Sequence, residues 1–198
     1  MMQNRNTLLS MTLAGVATLL LPVIAFAHVG HGTSGGVAGL LHPLTGLDHL
    51  LAMVAVGAWS AAAWQGAQRT LGPLAFLIAM SIGAMLGAAG LAASFVESGI
   101  AVSVVLMGVM LVCAKRVTPA TGLALIAATG ALHGIAHGGE IPAGTGVASY
   151  AAGFLLTTAL LHVTGLAAGA RLAQARAGLW RLAGSSLAGV GLLMLVRV

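Results

Sequence analysis

Polar residues along this chain are few and grouped, and between the groups the apolar positions run on without the every-second-residue alternation of a half-buried strand. A helix that crosses about 30 Å of hydrocarbon needs roughly 20 mostly apolar residues. Six stretches approach that length, near Val37 to Trp64, Leu71 to Ala93, Gly99 to Ala114, Pro119 to Ala136, Val147 to Ala170 and Leu179 to Val196, parted by short polar or Gly/Pro breaks. Helices are the expectation because a spanning segment must satisfy its own backbone hydrogen bonds. The pattern therefore predicts an all-α, polytopic membrane helix bundle.

A seventh apolar stretch, Leu8 to Ala25, precedes these and ends in Ala25-Phe26-Ala27, the small-x-small pattern of a signal-peptidase site. We expect residues 1–27 to be a signal peptide and 28–198 the six-helix transmembrane domain. Cleavage would leave His28 as the first residue, an amine and an imidazole together with His31 close by, a pair that could capture a metal cation at the periplasmic face.

Composition strengthens the membrane reading: 59% of the 198 residues are hydrophobic and 6% charged, too apolar for a water-soluble core of this size. The formal charge of +5 comes from scattered Lys and Arg that form no cluster or stripe, so nucleic acid is not an expected partner. The charges instead orient the helices. With the mature N-terminus on the periplasmic side, Arg69, Lys115, Arg116, Arg171, Arg176 and Arg181 all fall on the cytoplasmic side and only Arg197 falls outside. The expected location is thus the inner membrane. Gly83-x3-Gly87, Gly130-x3-Gly134 and Gly165-x3-Gly169 read as close helix packing. The oligomeric state is open, a homo-oligomer included. One cysteine, Cys113, leaves any metal centre to nitrogen and oxygen ligands.

Ionisable groups within spans are costly and mark function by default. The first constellation is His42-Pro43-Leu44-Thr45-Gly46-Leu47-Asp48-His49. On one continuous helix His42 and His49 would lie near one stripe with Met53 a turn along, and Asp48 about 100° aside. Pro43 and Gly46 predict a kink there. The second is His133-Gly134-Ile135-Ala136-His137-Gly138-Gly139-Glu140. Spacing of four puts His133 and His137 on one face as a two-histidine metal clip, and the glycines should let Glu140 fold back towards them. Glu97, at a periplasmic turn, is either an entrance ligand or simple interface solvation. His162, deep in the fifth stretch, could be a later station on the same path or a helix-to-helix hydrogen bond, and packing is the expectation.

The run His42-Pro43-x-x-Gly46-x-Asp48-His49, followed by His133-Gly134-x-x-His137-Gly138-x-Glu140, resembles the HupE/UreJ family of nickel and cobalt permeases, and the resemblance covers the whole mature chain. It implies a secondary permease that supplies nickel or cobalt to hydrogenase or urease, with no fixed cofactor and Ni²⁺ or Co²⁺ as cargo. By motif match it implies metal handling by His42, Asp48, His49, His133, His137 and Glu140, with Phe76 and Glu97 as further family positions. The expected partners are a divalent metal ion and the lipid bilayer. On the residues themselves two other readings stay open: a membrane-embedded metalloenzyme using Asp48 or Glu140 as base, and a non-transporting accessory protein that holds a metal or haem.

Overall fold

A computed structural model describes residues 35–91, 94–141, 144–172 and 177–198. The expected signal peptide and its cleavage site, with His28 and His31, lie outside the described residues. The described chain is helical throughout, with no strand: α1 (Gly35–Thr45), α2 (Leu47–Ala63), a short 3-10 turn (Gly66–Thr70), α3 (Leu71–Ala88), α4 (Val96–Val112), α5 (Pro119–Gly139), α6 (Val147–Leu172) and α7 (Ala177–Leu195).

Local chemistry sets several boundaries. Pro119 opens α5, where its missing amide costs nothing, and the Thr118 hydroxyl caps the helix by accepting from the Thr121 N–H at 3.2 Å. At Gly46 the backbone leaves the helical region (φ −95°, ψ 118°), and α1 and α2 meet there at 80°. The first apolar stretch is therefore a broken span, sharper than the kink expected from Pro43 and Gly46. The Thr45 hydroxyl donates to the His42 carbonyl at 2.7 Å, satisfying one of the acceptors that a helix end leaves over.

Among the described residues, four helical segments are long and apolar enough to cross a membrane: the 3-10 turn with α3 (Gly66–Ala88), α5, α6, and Gly178–Leu195 of α7. The bent pair α1 and α2 makes a fifth if taken as one span, and α4, with 17 residues, falls just short by length. Four to five candidate spans thus stand against the six expected. Large apolar side chains on the outer faces, among them Ile78, Ile82 and Met85 of α3 and Leu156, Leu160 and Val163 of α6, are exposed. A continuous apolar exterior of this kind fits a multi-pass membrane protein.

Inside, the helices associate backbone to backbone. Along α3 and α5, which run parallel, a methyl group added to Gly130 would lie 2.7 Å from the Phe76 carbonyl oxygen, and one on Gly134 would lie 2.8 Å from the Ala84 nitrogen. Gly138 repeats the contact one turn on, against Ala84 and Ala88. A second parallel pairing sets α1 and α2 along α6: Gly153 abuts Leu40, and Gly169 abuts Ala58. The third, α4 with α7, is antiparallel, Gly184 lying against Val112 and Gly191 against Val105. If the chain is halved after α4, exchanging the halves maps the first pairing onto the second and the third onto itself. That is the contact pattern of an inverted repeat. Trp59, Phe76, Met53, Met107 and Ile126 fill the core between the pairs.

Because Gly134 lies on backbone rather than on flexible side chain, Gly134→Val should lower unfolding stability in detergent by roughly 1–3 kcal/mol. Gly189→Ala, which meets open space, should melt with the parent protein. Equal melting of all three proteins would show that these contacts do not set the α3–α5 spacing.

Candidate metal centre

The break at Gly46 and the end of α5 bring the two histidine runs together. His42 comes from α1, Asp48 and His49 from the first turn of α2, His133 and His137 from the last two turns of α5, and Glu140 from its C-cap. The glycine contacts that seat α5 and α6 against their partners fix how closely these elements approach. Two groups of possible ligands result, each with its ligand atoms within 4.8 Å of one another: His49, His133 and His137, and His42, His137 and Glu140. The first group is buried, with His133 fully enclosed and His49 and His137 at 4% and 8% exposure. In the second, the side chains of His42 and Glu140 are 28% and 50% exposed.

A neutral imidazole carries one N–H and one lone pair, and the surroundings assign them here. His49 Nδ1 lies 3.2 Å from the Asp48 carboxylate, which can only accept, so its N–H points there and its Nε2 presents a lone pair. The Ser103 hydroxyl on α4 donates its own proton to the Ile100 carbonyl at 2.7 Å. It therefore accepts from His133 Nε2, 2.9 Å away, leaving a lone pair on His133 Nδ1. His137 Nδ1 lies 2.9 Å from the Glu140 carboxylate and donates to it, which leaves the lone pair on Nε2. The three lone pairs face one another: His133 Nδ1 is 3.0 Å from His49 Nε2, which also contacts His137 Nε2. No proton is left over to bridge them. A cation among these nitrogens, with carboxylate and hydroxyl partners holding the outer N–H groups, is the arrangement in which metal-ligating histidines are usually found.

The second group is built around the other side of His137. His42 Nε2 lies 3.0 Å from His137 Nδ1 and 3.3 Å from Glu140 Oε2. Hydrogen bonds from His137 and then His42 hold the Glu140 carboxyl well below the usual carboxylate range, so it is anionic at neutral pH. Glu140 keeps its place partly through its backbone N–H, which bonds the His137 carbonyl at 3.1 Å. Aromatic rings wall the group: Tyr150 and Phe154 stand 5.9 and 5.7 Å from the His42 ring. An apolar cavity of about 290 Å³ between α3, α5 and α6 reaches His137, lined also by Met80, Ala84, Tyr150 and Phe154.

Of the residues singled out in the sequence, His42, His49, His133, His137 and Glu140 are thus brought together. Asp48 adjoins them by way of His49, accepting also from the His49 backbone N–H at 2.8 Å, and lies outside both ligand groups. His42 and His49 do not share a helical stripe, because the helix breaks between them. Glu97, exposed in the first turn of α4, belongs to neither group. Ser103 was not anticipated; its signal was a lone hydroxyl in an apolar run. His162 is 1% exposed and makes no helix-to-helix hydrogen bond.

The family described as HupE / UreJ protein matches residues 16–194. The chain belongs to the HupE/UreJ family. It is similar to Protein HupE of Rhizobium leguminosarum bv. viciae, at 40% identity over 182 residues, which is 91% of this chain and 95% of that one. No solved structure matches the chain. Both histidine groups of this HupE/UreJ chain fall within the matched residues.

Titration of the purified protein with Co²⁺ or Ni²⁺ tests the centre. His137→Ala removes a ligand from both groups and should abolish binding. Asp48→Asn and Ser103→Ala keep the ligands but lose a partner that orients one, so each should weaken binding by about 10- to 100-fold. Undiminished affinity in His137→Ala would rule out metal binding at these nitrogens.

Proposed function

We propose that this HupE/UreJ chain is a secondary transporter that imports nickel or cobalt as the divalent ion across the inner membrane, for the maturation of metalloenzymes such as hydrogenase or urease. The observation that carries this reading is the convergence of three buried imidazole lone pairs beneath a second, half-open ligand group. An ion arriving from outside meets the anionic Glu140 with His42, and His137 gives it a way inward to His49 and His133. Asp48 holds the His49 ring and offsets positive charge near the ion. Imidazole-rich sites suit Ni²⁺ and Co²⁺, and the ligand types alone do not choose between them.

Six crossings, the first of them broken at Gly46, agree with the packing directions. On that count the mature N-terminus and Glu140 lie on the periplasmic side and the loops bearing Arg69, Lys115 and Arg116 on the cytoplasmic side, in keeping with the bias of basic residues in the sequence. A signal peptide cleaved before His28 belongs to the same topology. The sequence carries no phosphate-binding loop, and none is needed: a divalent cation moving inward gains about 4.6 kcal/mol per 100 mV, from roughly 2.3 per charge.

The apolar cavity beside His137 favours a second reading, a membrane metalloenzyme acting on a lipid. That chemistry asks for a carboxylate free to act as base. Asp48 is engaged by His49 and Glu140 by two imidazoles, which weighs against it.

Proteoliposomes containing the purified protein should take up ⁶³Ni²⁺ above protein-free vesicles, and Asp48→Asn and His42→Ala should cut uptake at least tenfold while remaining folded. Competition with Co²⁺, Zn²⁺ and Cu²⁺ would rank the metals. A metal ion retained one per chain with no uptake would support the enzyme or accessory reading instead. Protons compete for the same lone pairs, so metal binding and uptake should weaken together as the pH is lowered, and binding that persists on acidification until the protein unfolds would argue against imidazole ligands.

A further inference from the structure

We propose that His162 is an inner metal station of the same pathway, reached from the His49–His133–His137 group by way of Phe76. The inference rests on the transport reading above and extends it past the outer ligands.

His162 sits on α6 in a file of buried residues at helical spacing, Tyr150, Phe154, Thr158 and His162. Phe154 packs on His137, ring centroids 4.8 Å apart. Eight residues further along, at 1.5 Å per residue, His162 lies roughly 12 Å deeper. The packing of α6 against α2 agrees, for the His162 backbone abuts Gly57, two turns beyond His49. On the other side of the bundle, α5 descends from His137 through His133 to Gly130, whose neighbour is Phe76. The fully buried Phe76 ring touches both levels: its centroid is 5.8 Å from that of His133 and 5.1 Å from that of His162. A single aromatic ring therefore connects the deepest imidazole of the outer centre with the next one inward.

His162 differs from the other described histidines in its bonding. His42, His49, His133 and His137 each meet side chains of other residues, whereas His162 has no side-chain or cross-helix partner, the Thr158 carbonyl of its own helix being the polar group beside the ring. An imidazole kept only for packing would be replaced at no loss by an aromatic or aliphatic side chain, and leaving a nitrogen unpaired in an apolar interior is costly. A ligand position has a reason to leave a nitrogen unsatisfied, since a permanent partner would block the ion. Further along the same course, one turn beyond Gly57, the Ser60 hydroxyl is buried and unpartnered, and the buried Thr129 hydroxyl of α5 donates to the Ile126 carbonyl at 2.9 Å, its oxygen still able to accept. These oxygens continue the polar course beyond Phe76. The aromatic ring acts as the barrier that an ion must pass between His133 and His162.

The test separates ligation from packing at residue 162. His162→Phe keeps a ring of similar shape and removes both nitrogens, while His162→Cys, made in a Cys113→Ser background, supplies a different ligand atom without a ring. With ⁶³Ni²⁺ in proteoliposomes, His162→Phe should lose at least tenfold in uptake while binding Ni²⁺ in detergent with parental affinity at the outer centre. Co²⁺ added to the His162→Cys, Cys113→Ser protein should give a thiolate-to-cobalt charge-transfer band that Cys113→Ser alone lacks. That signature does not depend on transport rate and would not arise from a packing role. A His162→Phe protein that transports at the parental rate, or a folded cysteine variant that fills its outer centre with Co²⁺ and shows no such band, would overturn the proposal. Parent vesicles that take up no Ni²⁺ would remove the transport reading and this extension together; an active parent beside an equally active His162→Phe would remove the extension alone.

Discussion

Each imidazole of the buried group has an acceptor for its N–H, and that pairing orients the whole centre. Asp48, Ser103 and Glu140 each take up the outward N–H of one histidine, and each thereby turns the remaining lone pair inward. The inner surface of the site is defined by groups that never touch its middle. It follows that the carboxylates and the serine matter through direction rather than through charge alone. Replacing a carboxylate by an amide, nearly the same in shape, keeps one acceptor oxygen but removes the charge and puts a donor in place of the second oxygen.

Those acceptors come from three different helices, so their positions depend on how the helices stand together. Along α3 and α5, and along α1, α2 and α6, glycine lies against backbone over several turns, which leaves no freedom to slide without collision. The two close pairings exchange when the halves of the chain are exchanged, and each half contributes one histidine-bearing segment, α1 with α2 or α5. The centre sits where the halves meet. It is therefore a joint product of both, and neither half holds a complete ligand group.

Much of this could be read from residue order. The apolar stretches located the helices, because in lipid a helix must be long and self-satisfied. The spacing of His133 and His137 placed both on one face, and Gly138 and Gly139 allowed Glu140 to turn back. Other features depended on distant partners. A bend of 80° at Gly46 is set by what α1 and α2 pack against, and it voided the single stripe expected for His42 and His49. Asp48 sits beside His49 in the chain, yet its place outside both ligand groups follows from where α5 lies. Ser103 was invisible because a lone serine in an apolar helix gives no periodic signal, and its use is decided by the carbonyl of Ile100 and the ring of His133 across the bundle. His162 read first as packing because sequence does not show that its ring meets no side chain able to hydrogen-bond it across the bundle.

One further consequence attaches to His137, which faces one ligand group through Nε2 and the other through Nδ1. A neutral ring has a single lone pair to give, so at any instant His137 completes one group and withholds itself from the other. The two cannot both be full. Two doubly charged ions so close would also repel strongly in surroundings of low polarity. The shared ring thus couples the two groups: whichever nitrogen of His137 is free to coordinate, the other carries the proton.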